Sequence, residues 1–323
     1  MPDPNPDAPR PQRVVVAVLT YRRPRDLAEL LPVLQGQAAA AERRGTWAVR
    51  VLVVDNDPDR CGEAVCEASG VGALRYVHEP VPGIAAARNR ALAESAGDDV
   101  LVFIDDDERP GADWLERMLT TFADTGRVGV VGPVVSTFAT PLPAWVVAGR
   151  FFDRRRLPTG SLVDVAATNN LLLDLRRVRS GGVVFDEDFG LSGGSDTLFV
   201  RRLVAVAGPL VWCDEACVTD VVPAARCTRG WVVRRAFRMG NSWTRTALAL
   251  QTTRAGRIRC RTALTAAGVA RLAAGLARSA AGTLVPNLGR RAGGTRTFLR
   301  GAGMVLGAWG YTYVEYRRRP GRG

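Results

Sequence analysis

Three apolar runs constrain what this chain can fold into: VVVAVLT at 14–20, VRVLVVDN at 49–56 and VLVFIDDD at 100–107. Each is about one strand long, is built from Val, Ile and Leu without polar alternation, and stops at polar residues. Strands with that pattern are covered on both faces, as in a mostly parallel sheet lined by helices. The intervening stretches supply the helices. Leu27, Leu30, Leu31 and Leu34 share one helical face, a small-residue helix is expected near 84–96, and Leu115, Met118, Leu119 and Phe122 repeat at helical spacing. With a further strand in ALRYVHEP (73–80), the predicted class is α/β with a mostly parallel central sheet. Pro32, inside the first helix, is expected to kink it or end it early.

In open α/β sheets ligands bind beyond the carboxyl ends of the strands. Thr20, Asp55 with Asn56, and Asp105 to Asp107 stand at three such ends, so three strands deliver polar groups to one edge. The run IDDDE (104–108) is the strongest signal. Adjacent carboxylates repel, and either protonation or a bound cation relieves them. Mg²⁺ or Mn²⁺ suits such a site, because one or two carboxylates suffice when phosphate oxygens and water complete the shell. A solvated acidic turn would carry the same letters. Arg88, early in the helix of GIAAARNRAL, stands where free N–H groups and the helix dipole attract anions, although solvated helix charges are the commoner fate of such residues. Asp55 either receives the ring N–H of a pyrimidine or caps the turn after it, and Thr20 can offer its hydroxyl to a base or ribose.

Beyond residue 127 the order changes: VGVVGPVVST, VDVAATNNLLL (163–173), VVFDEDFGLSGGSD (183–196), a helix from about 196 to 206 and a strand near 209–214. From about 245 to 315 the composition shifts to Ala, Leu, Gly and Arg. The longest stretch there, 262–288, is interrupted by Arg271 and Arg278 and falls short of a membrane span. Those arginines, seven apart, share a face, as in a helix lying in a membrane interface or packed on its own domain. The cluster Tyr311, Tyr313, Tyr316 and Arg317 to Arg319 favours the membrane reading, since aromatic and basic side chains suit headgroups.

The net charge of +12 contains no lysine, so every basic residue is an arginine, suited to phosphate and anionic lipid. Nucleic acid is not expected as a partner, because no zinc-finger spacing, basic zipper or RNA-binding signature accompanies the charge. The six cysteines are irregularly spaced and read as reduced thiols in a cytoplasmic protein. Residues 1–12 read as a flexible tail.

The ordered set VVVAVLTYRRP, VLVVDND, PGIAAARNRAL, VFIDDDERP followed by WL, GGSD and W-x2-RR-x-FRMGNSW resembles the family 2 inverting glycosyltransferases of the bacterial polysaccharide-assembly kind. The resemblance covers 13 to about 245, with 246–323 as a helical, basic, membrane-associated extension. It implies a GT-A fold, in which a Rossmann-like nucleotide half is fused to an acceptor half. It also implies that Thr20, Asp55, Arg88, Asp105 and Asp106 contact the UDP-sugar, that Asp105 and Asp107 form the metal-binding DxD, and that Asp220 faces the metal. Trp231, Arg234 and Arg235 resemble a segment near acceptor and phosphate, with Arg234 clamping the diphosphate. The family's catalytic Glu-Asp pair falls on Ser195 and Asp196: the aspartate is kept as base and the glutamate is replaced. Asp196 could equally cap the helix that follows it.

The expected activity is inverting transfer of a sugar to an acceptor hydroxyl, with a polyprenyl-linked glycan favoured over a small natural product or peptide. The protein is expected to act as a peripheral protein at the inner face of the cell membrane. Two rivals stand beside it. A sugar nucleotidyltransferase needs a Gly-rich phosphate loop after the first strand, and LTYRRPRDL has no glycine. A non-catalytic sugar- or membrane-binding module would account for Ser195.

Overall fold

The computed structural model describes residues 10–70 and 72–314. Part of the N-terminal tail, together with Tyr316 and Arg317 to Arg319, lies outside the described residues. In chain order the elements are β1 (Gln12–Thr20), α1 (Pro24–Glu42), β2 (Trp47–Asp55), α2 (Glu63–Ala68), β3 (Leu74–His78), α3 (Ile84–Glu94), β4 (Val100–Asp105), β5 (Glu108–Pro110) and α4 (Trp114–Thr125). There follow β6 (Gly129–Val131), β7 (Val134–Phe138), α5 (Ala144–Ala148), β8 (Leu162–Val163), β9 (Asn170–Asp174), α6 (Leu175–Ser180), α7 (Ser195–Ala207), β10 (Leu210–Trp212) and β11 (Val218–Val222). The chain continues through α8 (Arg229–Ala249), α9 (Arg254–Leu284) and α10 (Leu288–Ala308). Two compact units emerge: Met1–Val134 with Arg156–Val184 and Leu203–Thr219, and Val135–Arg155 with Phe185–Arg202 and Asp220–Gly323.

The first unit holds an eight-stranded sheet in the order β3-β2-β1-β4-β9-β6-β10-β8. The four strands β3 to β4 run parallel, β9 is antiparallel to both its neighbours, and β10 returns parallel to β6. The continuous apolar strands are buried on both faces as their composition requires, from Val14 to Val18 and from Val100 to Ile104. Leu27, Leu30, Leu31 and Leu34 of α1 join that core with Trp114, Leu115, Met118 and Leu119 of α4. Each fully buried side chain of this size contributes roughly 1.5–3 kcal/mol.

Helix α1 runs through Pro32 to Glu42, so the helix does not end early there. Pro32 sits on the exposed face, as does Ala28, the residue whose carbonyl loses its hydrogen bond there. Water can satisfy that carbonyl, while buried leucines on both sides of the proline anchor the helix to the core.

The second unit is dominated by α8, α9 and α10. The seam between α9 and α10 is built from small residues: Gly268, Gly275 and Gly282 are buried on α9. A Cβ on Gly275 would lie 2.4 Å from the Phe298 backbone N, and one on Gly303 of α10 would lie 2.0 Å from the Phe237 carbonyl of α8. These backbones approach closer than any side chain permits. The opposite character of α9 stays outward, with Val269, Leu276 and Leu284 exposed. No helix among the described residues is long and apolar enough to cross a membrane.

Candidate functional site

Register gathers the polar strand ends of the first unit. Thr20 lies opposite Asp55 across β1 and β2, and Leu19 lies opposite Asp105 across β1 and β4. The four acidic residues after β4 then divide by direction. Asp106 turns inward, accepting a hydrogen bond from Thr20 Oγ1 at 2.9 Å and from Arg23 at 2.8 Å. Glu108 is also buried and braces the turn, accepting from the Asp105 N–H at 3.2 Å and from Asn169 Nδ2 at 2.6 Å. Asp105 and Asp107 remain partly exposed.

The electrostatics of this cluster follow from crowding. Burial, then the neighbouring Asp107 and Asp106 carboxylates, push the Asp105 carboxyl above the usual range, with Arg88 opposing them. Burial raises Asp106 as well, against the pull of Arg23. Burial works against the charge of Arg23, but Asp106 and Asp107 outweigh it and hold the guanidinium firmly protonated. One Arg23 nitrogen stands 2.8 Å from Asp106 and 2.7 Å from Asp107, so a protein cation already bridges two of the three carboxylates. A partly exposed Asp107 carboxylate beside the crowded Asp105 carboxyl, in a cluster that stabilises positive charge, fits a hard divalent cation completed by phosphate and water. Among the described residues no group of three or more His, Cys, Asp or Glu is arranged to hold a metal.

Asp55 is fully buried and accepts from the backbone N–H of Asp57 at 2.9 Å, from that of Gly62 at 2.8 Å and from the Tyr76 hydroxyl at 3.2 Å. Gly62 can come that close because it lacks a side chain; a Cβ there would stand 2.9 Å from the same carboxylate. Asn56 ties the end of β2 to the entry of α3, donating to the Glu79 and Val81 carbonyls and accepting from the Gly83 N–H at 3.0 Å. Gly83 has φ 127°, a backbone conformation that glycine adopts readily. Arg88 follows in the second turn of α3, buried, its charge felt at Asp105.

Arg23 and Asn169 are structural members of this cluster that the sequence reading did not single out. Arg23 had a signal: it stands three residues beyond Thr20 at the end of β1 and immediately precedes Pro24 at the start of α1. Asn169 had none, since it is far away in the chain from the carboxylate it binds.

In the second unit, Asp196 lies in the first turn of α7 and its Oδ1 accepts from the Thr197 N–H at 2.8 Å. The glycine pair before it, at φ 78° and 100°, turns the chain into the helix. Ser195 is buried. Asp220 on β11 pairs with Arg154 at 2.5 Å. On α8, Arg234 is exposed, whereas Arg235 lies 5.4 Å from the ring centroids of both Phe152 and Trp231. The structure thus brings Thr20, Asp55, Arg88 and Asp105 to Asp107 to one sheet edge in the first unit, and carries Asp196, Asp220 and Arg234 on three elements of the second.

Residues 15–174 match the family described as Glycosyl transferase family 2. The succinoglycan biosynthesis protein ExoM of Rhizobium meliloti (strain 1021) is 34% identical over 230 residues, which make up 70% of this chain and 72% of ExoM. The chain belongs to glycosyltransferase family 2. Among solved structures, this glycosyltransferase resembles S. aureus TarS 1–349 with a TM-score of 0.51 at 14% identity, over 87% of this chain and 89% of that one. It resembles a longer TarS chain at 0.52 and 15% identity, over 75% of this chain and 40% of that one. GalNAc-T7 with UDP, GalNAc and Mn²⁺ gives 0.52 at 10% identity, over 73% and 47%. At these identities the likeness establishes the fold, which is GT-A with C-terminal helices.

Proposed function

We propose that this glycosyltransferase moves a sugar, with inversion, from a UDP-sugar to an acceptor hydroxyl on a lipid-linked glycan at a membrane surface. The carrying observation is the carboxylate cluster at the sheet edge, in which Asp106 and Glu108 are internal braces, the Asp107 carboxylate is partly exposed and the Asp105 carboxyl is crowded beside it. The solved TarS complexes with UDP and UDP-GlcNAc, and Mn²⁺ beside UDP in GalNAc-T7, support that choice of donor and metal. The succinoglycan biosynthesis role in the name of ExoM supports a glycan acceptor.

In this reading Asp105 and Asp107 hold Mg²⁺ or Mn²⁺, with Asp220 a further candidate ligand, and Thr20, Asp55 and Arg88 receive the nucleotide. The cation, when bound, neutralises charge on the diphosphate leaving group. Asp196 takes the proton of the acceptor hydroxyl; the oxygen forms its bond to the anomeric carbon as the bond to the nucleoside diphosphate breaks on the opposite face. Arg234, exposed on α8, is the side chain assigned to clamp the diphosphate. The helical segment 246–323 serves as the membrane-facing part.

Calorimetric titration of UDP with Mn²⁺ should show binding that chelator or Asp107→Ala abolishes. Asp196→Asn should keep that binding and lose turnover by about 10²-fold or more, the usual scale for removing a general base. Full turnover by Asp196→Asn would remove it from the base role, and no nucleotide binding by folded protein would sink the transfer reading.

A further inference from the structure

Arg23 meets the acidic run in a way that transfer chemistry alone does not require. One of its terminal nitrogens stands 2.8 Å from Asp106 Oδ1 and 2.7 Å from Asp107 Oδ2, so a single NH₂ group spans two carboxylates. Asp106 is buried and also held by Thr20, which makes it a fixed anchor. The Asp107 side chain is 28% exposed, so a cation arriving from solvent meets Asp107 first, and it meets Arg23 there. Arg23 is itself 36% exposed, which leaves its guanidinium room to exchange Asp107 for another acceptor. The turn that aims it is braced separately. Arg22, at φ 57°, a left-handed conformation uncommon outside glycine, reaches the opposite way, with Nε 3.1 Å from Asp57 and a terminal nitrogen 3.0 Å from Asp59. Two successive arginines thus tie the end of β1 to the acidic segments that follow β2 and β4.

An arginine keeps its proton in a protein, so Arg23 and a divalent cation on Asp107 are like charges at one carboxylate, and they repel. A nucleoside diphosphate changes that balance. Its oxygens add negative charge beside Asp107 and are the acceptors that a guanidinium fork matches best. We infer that Arg23 is a resident counter-cation of the acidic run, which keeps divalent metal off Asp107 until a diphosphate draws the guanidinium away, so that metal and nucleotide bind as a coupled pair. The role of Asp107 as metal ligand and of the diphosphate as its companion rests on the function proposed above. Because coupling between two ligands is reciprocal, this one residue sets both how far UDP raises Mn²⁺ affinity and how far Mn²⁺ raises UDP affinity.

The test follows free Mn²⁺ by electron paramagnetic resonance as it is titrated into the full chain without nucleotide. Arg23→Gln should take up Mn²⁺ about tenfold more tightly than wild type, the scale of removing one close like charge. Arg23→Lys, which keeps the charge, should stay near wild type. Melting gives an independent reading: Mn²⁺ alone should raise the Tm of Arg23→Gln by more than that of wild type, because stabilisation by a ligand grows with its affinity. Arg23→Met, which retains the apolar stem, takes the place of Arg23→Gln should that variant fail to fold. Adding UDP should raise Mn²⁺ affinity by a larger factor in wild type than in Arg23→Gln, and an equal gain in two proteins that both bind UDP would overturn the coupling. Equal uptake of Mn²⁺ alone by wild type and the folded uncharged variants, or uptake by Arg23→Lys as tight as by Arg23→Gln, would overturn the counter-cation role. Absence of manganese-dependent UDP binding from wild type would count against the transfer reading alone, since the comparison that decides the counter-cation role contains no nucleotide.

Discussion

At the scale of single residues, the cluster after β4 shows how one short acidic run is divided into different tasks. Asp106 is consumed by Thr20 and Arg23, and Glu108 by the Asp105 N–H and Asn169. The raised Asp105 carboxyl has a consequence for pH. In metal-free protein the folded state holds its proton more tightly than the unfolded chain does, so stability from this group is present at low pH and is lost as pH rises through its folded value. A bound divalent cation must displace that proton, so manganese-dependent UDP affinity should fall as pH is lowered from about 8 to about 6, a window in which an ordinary aspartate near 3.9 would leave it flat. Calorimetry at several pH values measures this directly. The presence of three adjacent carboxylates at a strand end was legible from the sequence; their directions were not, because β4 ends at Asp105 and the alternation of side chains ends with it. Asp55 was legible as either a ligand group or a cap, and the structure shows the cap fully made.

At the scale of elements, strand content was readable because strands buried on both faces leave a simple signature of uninterrupted Val, Ile and Leu. The order of the sheet was not, since β9, which pairs antiparallel between β4 and β6, arrives from sixty-odd residues later in the chain. The helix α1 was readable from its leucine face, while the tolerance of Pro32 depended on which face met water. The glycines of the C-terminal helices mark backbone contact, and substitutions should separate contact from freedom. Gly303→Val must push α8 and α10 apart and should cost about 3 kcal/mol or more in urea denaturation, the upper end of overpacking effects. Gly36→Ala on α1, where nothing lies within 4 Å, should instead stabilise by up to about 1 kcal/mol through helix propensity.

At the scale of the whole molecule, the arginine-only charge of +12 combines with exposed Val269, Leu276 and Leu284 on α9. Association with vesicles containing anionic lipid is therefore expected to weaken, without vanishing, when salt is raised from about 0.1 to about 1 M, since screening removes the charge term and leaves the apolar one. Flotation assays would measure it, and complete insensitivity to salt would exclude a role for the arginines.

The division of the chain into units carries one more implication. Each unit is assembled from three separate stretches, in alternation along the sequence. A nascent chain leaving the ribosome has all eight strands of the central sheet only once residue 212 has emerged, by which time two pieces of the other unit are already outside and still lack α8 to α10. Those pieces must wait for the last third of synthesis, and no single cut of the polypeptide can release either unit whole.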